Sequence, residues 1–291
     1  MTRTLQISYW TIGGFENKRP VEEALRDAKE MGYDGVELAF EADGVLCPAT
    51  TEAVCRGYRD AAERIGLRIR TLASGFYWQK SPGHPDAAIR REALDFTERY
   101  LRAASWIGAE TVLLIPGVVA VPWNSPAPVA RYDEVWDHAA RGLWKLLPTA
   151  ERLGVAIGLE NVWNWFLSDP AAMRAFVDQF RSPWLGVYFD AANCLLNGYA
   201  DHWAHLLGHR IRAVHVKNFK RNDDCGGGLH GFGDDLLQGD LDWPALAAAL
   251  RDIDYAGPVT AEMIPFSRLP DLTLPDLPLA RDTAAKLRKV L

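Results

Sequence analysis

The sequence predicts an α/β chain folded as a single (β/α)8 TIM barrel over residues 1–291. Three observations lead there. Short β-rich runs alternate with amphipathic helical segments from end to end, several helices pass to the next strand through a glycine, and no linker divides the chain. A barrel of this kind needs roughly 250 residues, so the 291 residues are enough for one. An open doubly wound sheet is the competing arrangement. No GxGxxG follows the first strand, which weakens its dinucleotide-binding form.

In chain order, a first strand is expected at 5–10, a helix at 21–31 and a second strand at 35–40. A helix at 51–65 leads to a strand at 67–73. The helix at 86–107 is the clearest: Ile89, Ala93, Phe96, Tyr100, Ala104 and Ile107 recur at three- and four-residue steps and share one face, and Gly108 then stops it. Further strands are expected at 111–116, 155–160, 185–190, 211–217 and 258–263. The helices between and after them are expected at 132–153, 170–180, 199–208, 242–252 and 279–290. The junctions "EMGYDGVEL", "RIGLRIRTL", "WIGAETVLL" and "RLGVAIGLE" repeat one device. Glycine takes the left-handed conformation that closes a helix, and an apolar run follows at once. Near-continuous apolar strands suit a parallel sheet covered on both faces. The irregular stretches 117–131 and 219–239 each follow a strand, on the side where a barrel builds its site. Residues 269–278, "LPDLTLPDLP", read as a surface connection to the last helix.

With 48% hydrophobic residues the chain can fill a core, and a net charge of −6 argues against a nucleic-acid surface. No window approaches the roughly 20 apolar residues of a membrane span, and the N-terminus does not resemble a signal peptide. Cys47, Cys55, Cys194 and Cys225 form no CxxC pair and read as free thiols in a reducing compartment. A soluble, cytoplasmic enzyme is expected, without nucleic-acid or membrane partners.

Four consecutive strands end on chemistry-bearing residues. Strand five ends on Glu160, strand six on Asp190, strand seven carries His215, and strand eight carries Glu262, at separations of 30, 25 and 47 residues. Taken singly, each has an ordinary explanation: a satisfied core histidine, a helix cap or an ion-pair partner. Together they are harder to dismiss, because uncompensated carboxylates at one barrel mouth repel one another. Three carboxylates and one imidazole suit one divalent metal ion, Mn²⁺, Mg²⁺, Co²⁺ or Zn²⁺.

The stretches "LENVWNWFLSDP", "YFDAANCLLNGY", "VHVKNFKR", "LLQGDLDWPAL" and "VTAEM", with echoes in "GYDGVEL" and "GAETVLLIPG", resemble the xylose-isomerase-like superfamily of sugar and sugar-phosphate isomerases and epimerases. The nearest branch is that of L-ribulose-5-phosphate (L-xylulose-5-phosphate) 3-epimerases, and the resemblance spans essentially the whole chain. It implies a (β/α)8 barrel with one divalent metal, often manganese, held by Glu160, Asp190, His215 and Glu262. It also implies that Glu160 and Glu262 are the catalytic acid/base pair of a ketose 3-epimerisation through a metal-stabilised enediolate. The implied partner is a small sugar or sugar phosphate, and a homodimer or homotetramer is compatible with barrels of this kind.

Secondary candidates surround that set. Arg221, six residues beyond His215, is by the same resemblance a substrate or phosphate contact and otherwise a solvated loop cation, and Lys217 joins it as a substrate-binding candidate. Asn161 and Asn164 could bond sugar hydroxyls or cap the following helix. Trp163, Trp165, Trp123 and Trp78 could wall a pocket, and Glu37 could bind a hydroxyl or pair with a cation. His230 reads as a surface histidine, and the triple glycine at 226–228 as an unspecific phosphate-loop candidate. Two positions depart from the family pattern. Asn193, kept as a substrate-binding candidate, stands where free-sugar 3-epimerases often have a histidine, and "HVKN" replaces "HxKD", with Asn218 at its end. Competing functions are aldose–ketose isomerisation on the same site, a non-catalytic sugar-binding barrel, cleavage of sugar C-glycosides, and a metal-dependent apurinic endonuclease. Asn193 and the acidic balance speak against the last.

Overall fold

A computed structural model describes residues 3–121, 128–221 and 228–291. Eight strands, Thr4–Ser8 (β1), Gly35–Ala39 (β2), Thr71–Ala73 (β3), Thr111–Leu114 (β4), Ala156–Glu160 (β5), Leu185–Asp190 (β6), Ile211–Val216 (β7) and Pro258–Ala261 (β8), close in chain order into one barrel. Every neighbouring pair is parallel, and β1 pairs with β8 to complete the ring. Around it run the helices Tyr9–Gly13 (α1), Val21–Met31 (α2), Glu52–Arg64 (α3), Ala87–Ile107 (α4), Tyr132–Leu153 (α5), Pro170–Asp178 (α6), Ala200–Leu207 (α7), Trp243–Asp252 (α8) and Leu277–Val290 (α9). No described helix is long and apolar enough to cross a membrane.

The glycine junctions do what their pattern predicts. Gly32, Gly108 and Gly154 close α2, α4 and α5 at positive φ, and each cap N–H returns to the last helical turn. The amide of the next residue also bonds back into the helix, so the chain turns directly into the following strand segment. Asp169 and Asp242 cap α6 and α8 through their carboxylates, satisfying N–H groups that have no partner inside a helix.

Two elements differ from expectation. The first strand stops at Ser8, whose hydroxyl accepts from the Trp10 N–H and starts α1. Hence Trp10 belongs to a helix at the barrel mouth and not to a strand. β3 is also shorter than 67–73, because the Arg70 N–H donates to the buried Gln6 amide oxygen instead of a strand neighbour. Residues 67–70 include one isolated bridge to β2, between Gly35 and Arg68.

The barrel interior is unusually polar toward its centre. Gln6 donates to the hydroxyls of Thr71 (2.8 Å) and Thr260 (3.0 Å), joining β1, β3 and β8. Thr71 in turn donates to Glu37 on β2 (2.7 Å). The apolar core lies outside this, between strands and helices, where residues such as Ile7, Val36, Leu72, Val112, Ile157, Val187, Val214 and Val259 are buried. Alternation along each strand separates the two populations.

Candidate active site

The register of the last four strands assembles the predicted quartet. Asp190 pairs with His215 across β6 and β7, Glu160 is the last residue of β5, and Glu262 lies one residue past β8. One donor atom from each of Glu160, Asp190, His215 and Glu262 falls within 4.8 Å of the others, and all four residues are buried. His215 turns Nδ1 toward Glu160 Oε1 (3.3 Å) and Glu262 Oε2 (3.8 Å). Its Nε2 faces Glu37 Oε1 at 2.7 Å. A carboxylate behind a histidine holds the proton on the far nitrogen and leaves the near one to a metal. The donor set, three hard oxygens and one oriented imidazole nitrogen, therefore fits a divalent cation.

Electrostatics tie these groups together. Burial pushes the Glu160 carboxyl up to about 7; the hydrogen bond from His215 opposes the rise and the Glu262 charge adds to it. Burial lowers the His215 imidazole, but the charges of Glu37 and Glu262 and the bonds to Glu160 and Glu37 carry it well above its ordinary value. Glu37 is itself held below the usual carboxylate range: the cost of its burial is overcome by His215 and by bonds from Tyr188 and Thr71. Lys217 places Nζ 2.5 Å from both Asp190 Oδ2 and Glu262 Oε2. Burial lowers its ammonium, yet those two carboxylates and Glu160 raise it overall. Without that cation three buried carboxylates would face one another at one end of the barrel.

The quartet opens into a cavity of about 460 Å³ at the C-terminal mouth of the barrel, where barrels of this type place their sites. Glu160, Glu262 and Lys217 line it, whereas Asp190 and His215 lie beneath. Trp78, Trp163 and Asn193, anticipated from the sequence, also line it. Further wall residues were not anticipated: Trp10, Phe15, Glu41, Ser74, Phe232, Ile264 and Phe266. Glu41 sits two residues beyond β2 and accepts from the Gly75 N–H (3.0 Å) and the Trp10 indole (3.2 Å). Its signal in the sequence is a carboxylate placed directly after the strand-like run "VELAF".

Several candidates have other positions than a substrate contact requires. Glu37 is fully buried below the quartet and is absent from the cavity wall, being bonded to His215, Tyr188 and Thr71. Asn161 exchanges two 2.8 Å hydrogen bonds with the Asp190 backbone, so it anchors β6 to the end of β5. Asn164 ties its own loop to the Gly117 carbonyl. Arg221 is exposed outside the cavity wall, with its guanidinium over the Tyr199 ring and bonded to the Gly198 carbonyl. Trp165 is exposed and also lies off the wall, and His230 is exposed as expected. Asn193 donates to the Asn161 carbonyl and accepts on its own carbonyl from the Trp163 indole. Asn218 donates to the carbonyls of Asp235 and Gln238, so its amide organises the following loop and does not orient Lys217. Trp123, Cys225 and most of the triple glycine at 226–228 lie outside the described residues.

A profile described as the xylose isomerase-like TIM barrel matches residues 25–290. The chain belongs to that family. Among curated relatives of this barrel, L-ribulose-5-phosphate 3-epimerase UlaE of Salmonella typhimurium is 23% identical over 264 residues, covering 87% of this chain and 86% of its own length. A crystal structure of D-psicose 3-epimerase in the presence of D-fructose superposes with a TM-score of 0.79 at 19% identity, over 99% of both chains. The 3-keto-D-glucoside 4-epimerase YcjR of E. coli gives 0.74 at 20% identity, over 99% of this chain and 100% of its own. At such identities the superpositions establish the shared barrel, and the xylose isomerase-like relatives named here are sugar epimerases.

Proposed function

We propose that this chain is a divalent-metal-dependent sugar epimerase, with ketose 3-epimerisation as its reaction and Glu160 and Glu262 as its acid/base pair. One observation carries the reading. Of the four grouped donors, only the two glutamates reach the cavity, and they come from β5 and β8, with β6 and β7 between them. Epimerisation beside a carbonyl removes a proton from one face of a carbon and returns one to the other. Two carboxylates arriving from different strands suit that division, and either could begin, so both epimers would serve as substrate. A positioned carboxylate contributes about 10²–10⁴-fold by general base catalysis. Asp190 and His215, set below, would hold the ion jointly with the glutamates. When bound, the ion supplies Lewis-acid polarisation of the substrate carbonyl. Lys217 sets its ammonium between Asp190 and Glu262, 2.5 Å from a carboxylate oxygen of each.

The test is hydrogen exchange in D₂O, followed by NMR on a panel of ketoses and ketose phosphates with Mn²⁺ added. Deuterium should enter at C3, and Glu262→Gln should slow that entry by about 10²–10⁴-fold. Entry at C1 would replace the epimerase with an aldose–ketose isomerase. Metal binding with no exchange on any sugar would leave a sugar-binding barrel.

A further inference from the structure

The cavity wall draws on both sides of the barrel. Glu160, Lys217 and Glu262 come from the ends of β5, β7 and β8, with Trp163, Phe232 and Phe266 beyond them, whereas Trp10, Phe15, Glu41 and Trp78 come from the segments after β1, β2 and β3, across the mouth. Among the described residues, six aromatic rings line the space: Trp10, Phe15, Trp78, Trp163, Phe232 and Phe266. Its volume of about 460 Å³ falls among pockets that hold drug-sized ligands, about 300–1,000 Å³.

Charge on the same wall is one-sided. Glu41, Glu160 and Glu262 are acidic, and among the described lining residues Lys217 is the one cation, already 2.5 Å from two carboxylates. Residues 122–127 and 222–227, which read "PWNSPA" and "NDDCGG", contain no lysine, arginine or histidine. Away from the ion of the quartet, a phosphate dianion would meet carboxylates and ring faces, and among the described lining residues no unpaired side-chain cation to receive it.

We propose that the cavity takes an uncharged keto sugar bearing an apolar ring substituent, not a sugar phosphate, with the ring among the aromatic residues and Glu41 accepting from sugar hydroxyls. This rests on the epimerase reading of the quartet and names the substrate class for it. The Glu41 carboxylate is aimed by the Gly75 amide and the Trp10 indole, and it belongs to neither the quartet nor its supporting shell. Phe15 packs against Trp10 with ring centroids 6.5 Å apart and is half exposed, so it can close over a substituent at the rim.

The test is calorimetric titration of the Mn²⁺-supplemented protein with five matched probes. These are D-fructose, its 1- and 6-phosphates, 1-deoxy-1-(p-toluidino)-D-fructose and 6-O-phenyl-D-fructose. At least one aryl sugar should bind about tenfold or more tightly than fructose, the gain expected for burying one aromatic ring, and both phosphates should bind more weakly than fructose. Phe15→Ala should reduce the aryl-to-fructose affinity ratio, and Glu41→Gln should narrow the gap between fructose and its phosphates. Tighter binding of either phosphate, or equal or undetectable affinity across the set, would overturn the proposal. The two readings fail separately. Deuterium exchange at C3 of fructose without an aryl preference would sink the substrate class alone. An aryl preference without exchange on any probe would sink the epimerase and leave the pocket's selectivity standing.

Discussion

His215 stands between two acidic environments, and its two ring nitrogens have separate tasks. Nε2 is engaged by Glu37, which leaves Nδ1 directed at Glu160 and Glu262. Replacing Glu37 with Gln should therefore weaken Mn²⁺ binding by about 10–100-fold, as loss of such an outer partner commonly does; titration of the purified variant would measure it, and unchanged affinity would remove Glu37 from that role. Lys217 is the counterpart on the other side of the quartet. Lys217→Met should lower the stability of the chelator-treated protein by about 3–5 kcal/mol, the cost of leaving buried charges unpaired. Saturating Mn²⁺ should recover part of that loss, about 2.7 kcal/mol at a hundredfold excess over Kd. Denaturant melts with and without metal would separate the two effects. The residue types of the quartet and of Lys217 were readable from strand ends. The difference between Glu37 and Glu41 was not: one lies in β2 and the other two residues beyond it, and only the packing shows one beneath the floor and the other in the wall.

Strands and turns of this barrel were mostly legible because their signals are local. Apolar runs, N-caps and terminal glycines act within a few residues, and β6, α2 and α5 have the bounds that such signals imply. β3 and α1 departed because distant or subtle partners decided them: the Gln6 side chain takes the Arg70 amide, and the Ser8 hydroxyl starts a helix. The β2–β3 seam is tight. A Cβ added at Gly35 would lie 2.1 Å from the Arg68 carbonyl oxygen and 3.2 Å from the Gln6 amide oxygen. Gly35→Ala must push these strands apart and should cost about 1–3 kcal/mol or more, read as a lower midpoint in urea. A midpoint equal to that of the parent would mean the seam has slack. Since Gln6 also supports Thr71, and Thr71 supports Glu37, the strain should propagate toward the quartet as weaker metal binding.

For the molecule as a whole, the proposed metal and protons would compete for one buried set of groups. Glu160, with its carboxyl raised to about 7 by burial, and His215, held well above its ordinary value, both carry protons near neutral pH in the metal-free protein. Ligands must be deprotonated to bind a cation. Below about pH 7 the proton on Glu160 competes with the metal; above it the carboxylate is free. Apparent Mn²⁺ affinity should therefore rise with pH through this range, by about tenfold per pH unit for each proton displaced. Calorimetry in buffers of different ionisation enthalpy would count the protons released. Release of none between pH 6 and 8 would mean that the quartet is already ionised without metal.

Alternation of short apolar strands with capped amphipathic helices was enough to imply the barrel, and barrel closure was enough to gather Glu160, Asp190, His215 and Glu262. Both follow from period and order along the chain, which are properties of sequence. The cavity's composition depended on packing. The Trp10–Phe15 pair, Glu41 and Phe232 come from three separate parts of the sequence with no shared spacing, and they meet because the segments after β1, β2 and β7 converge at one mouth. Likewise nothing local distinguishes Arg221, stacked outside on Tyr199, from Lys217, drawn inside between two carboxylates. Side-chain direction at a loop is set by the neighbours it finds in three dimensions, and those come from elements tens to hundreds of residues away.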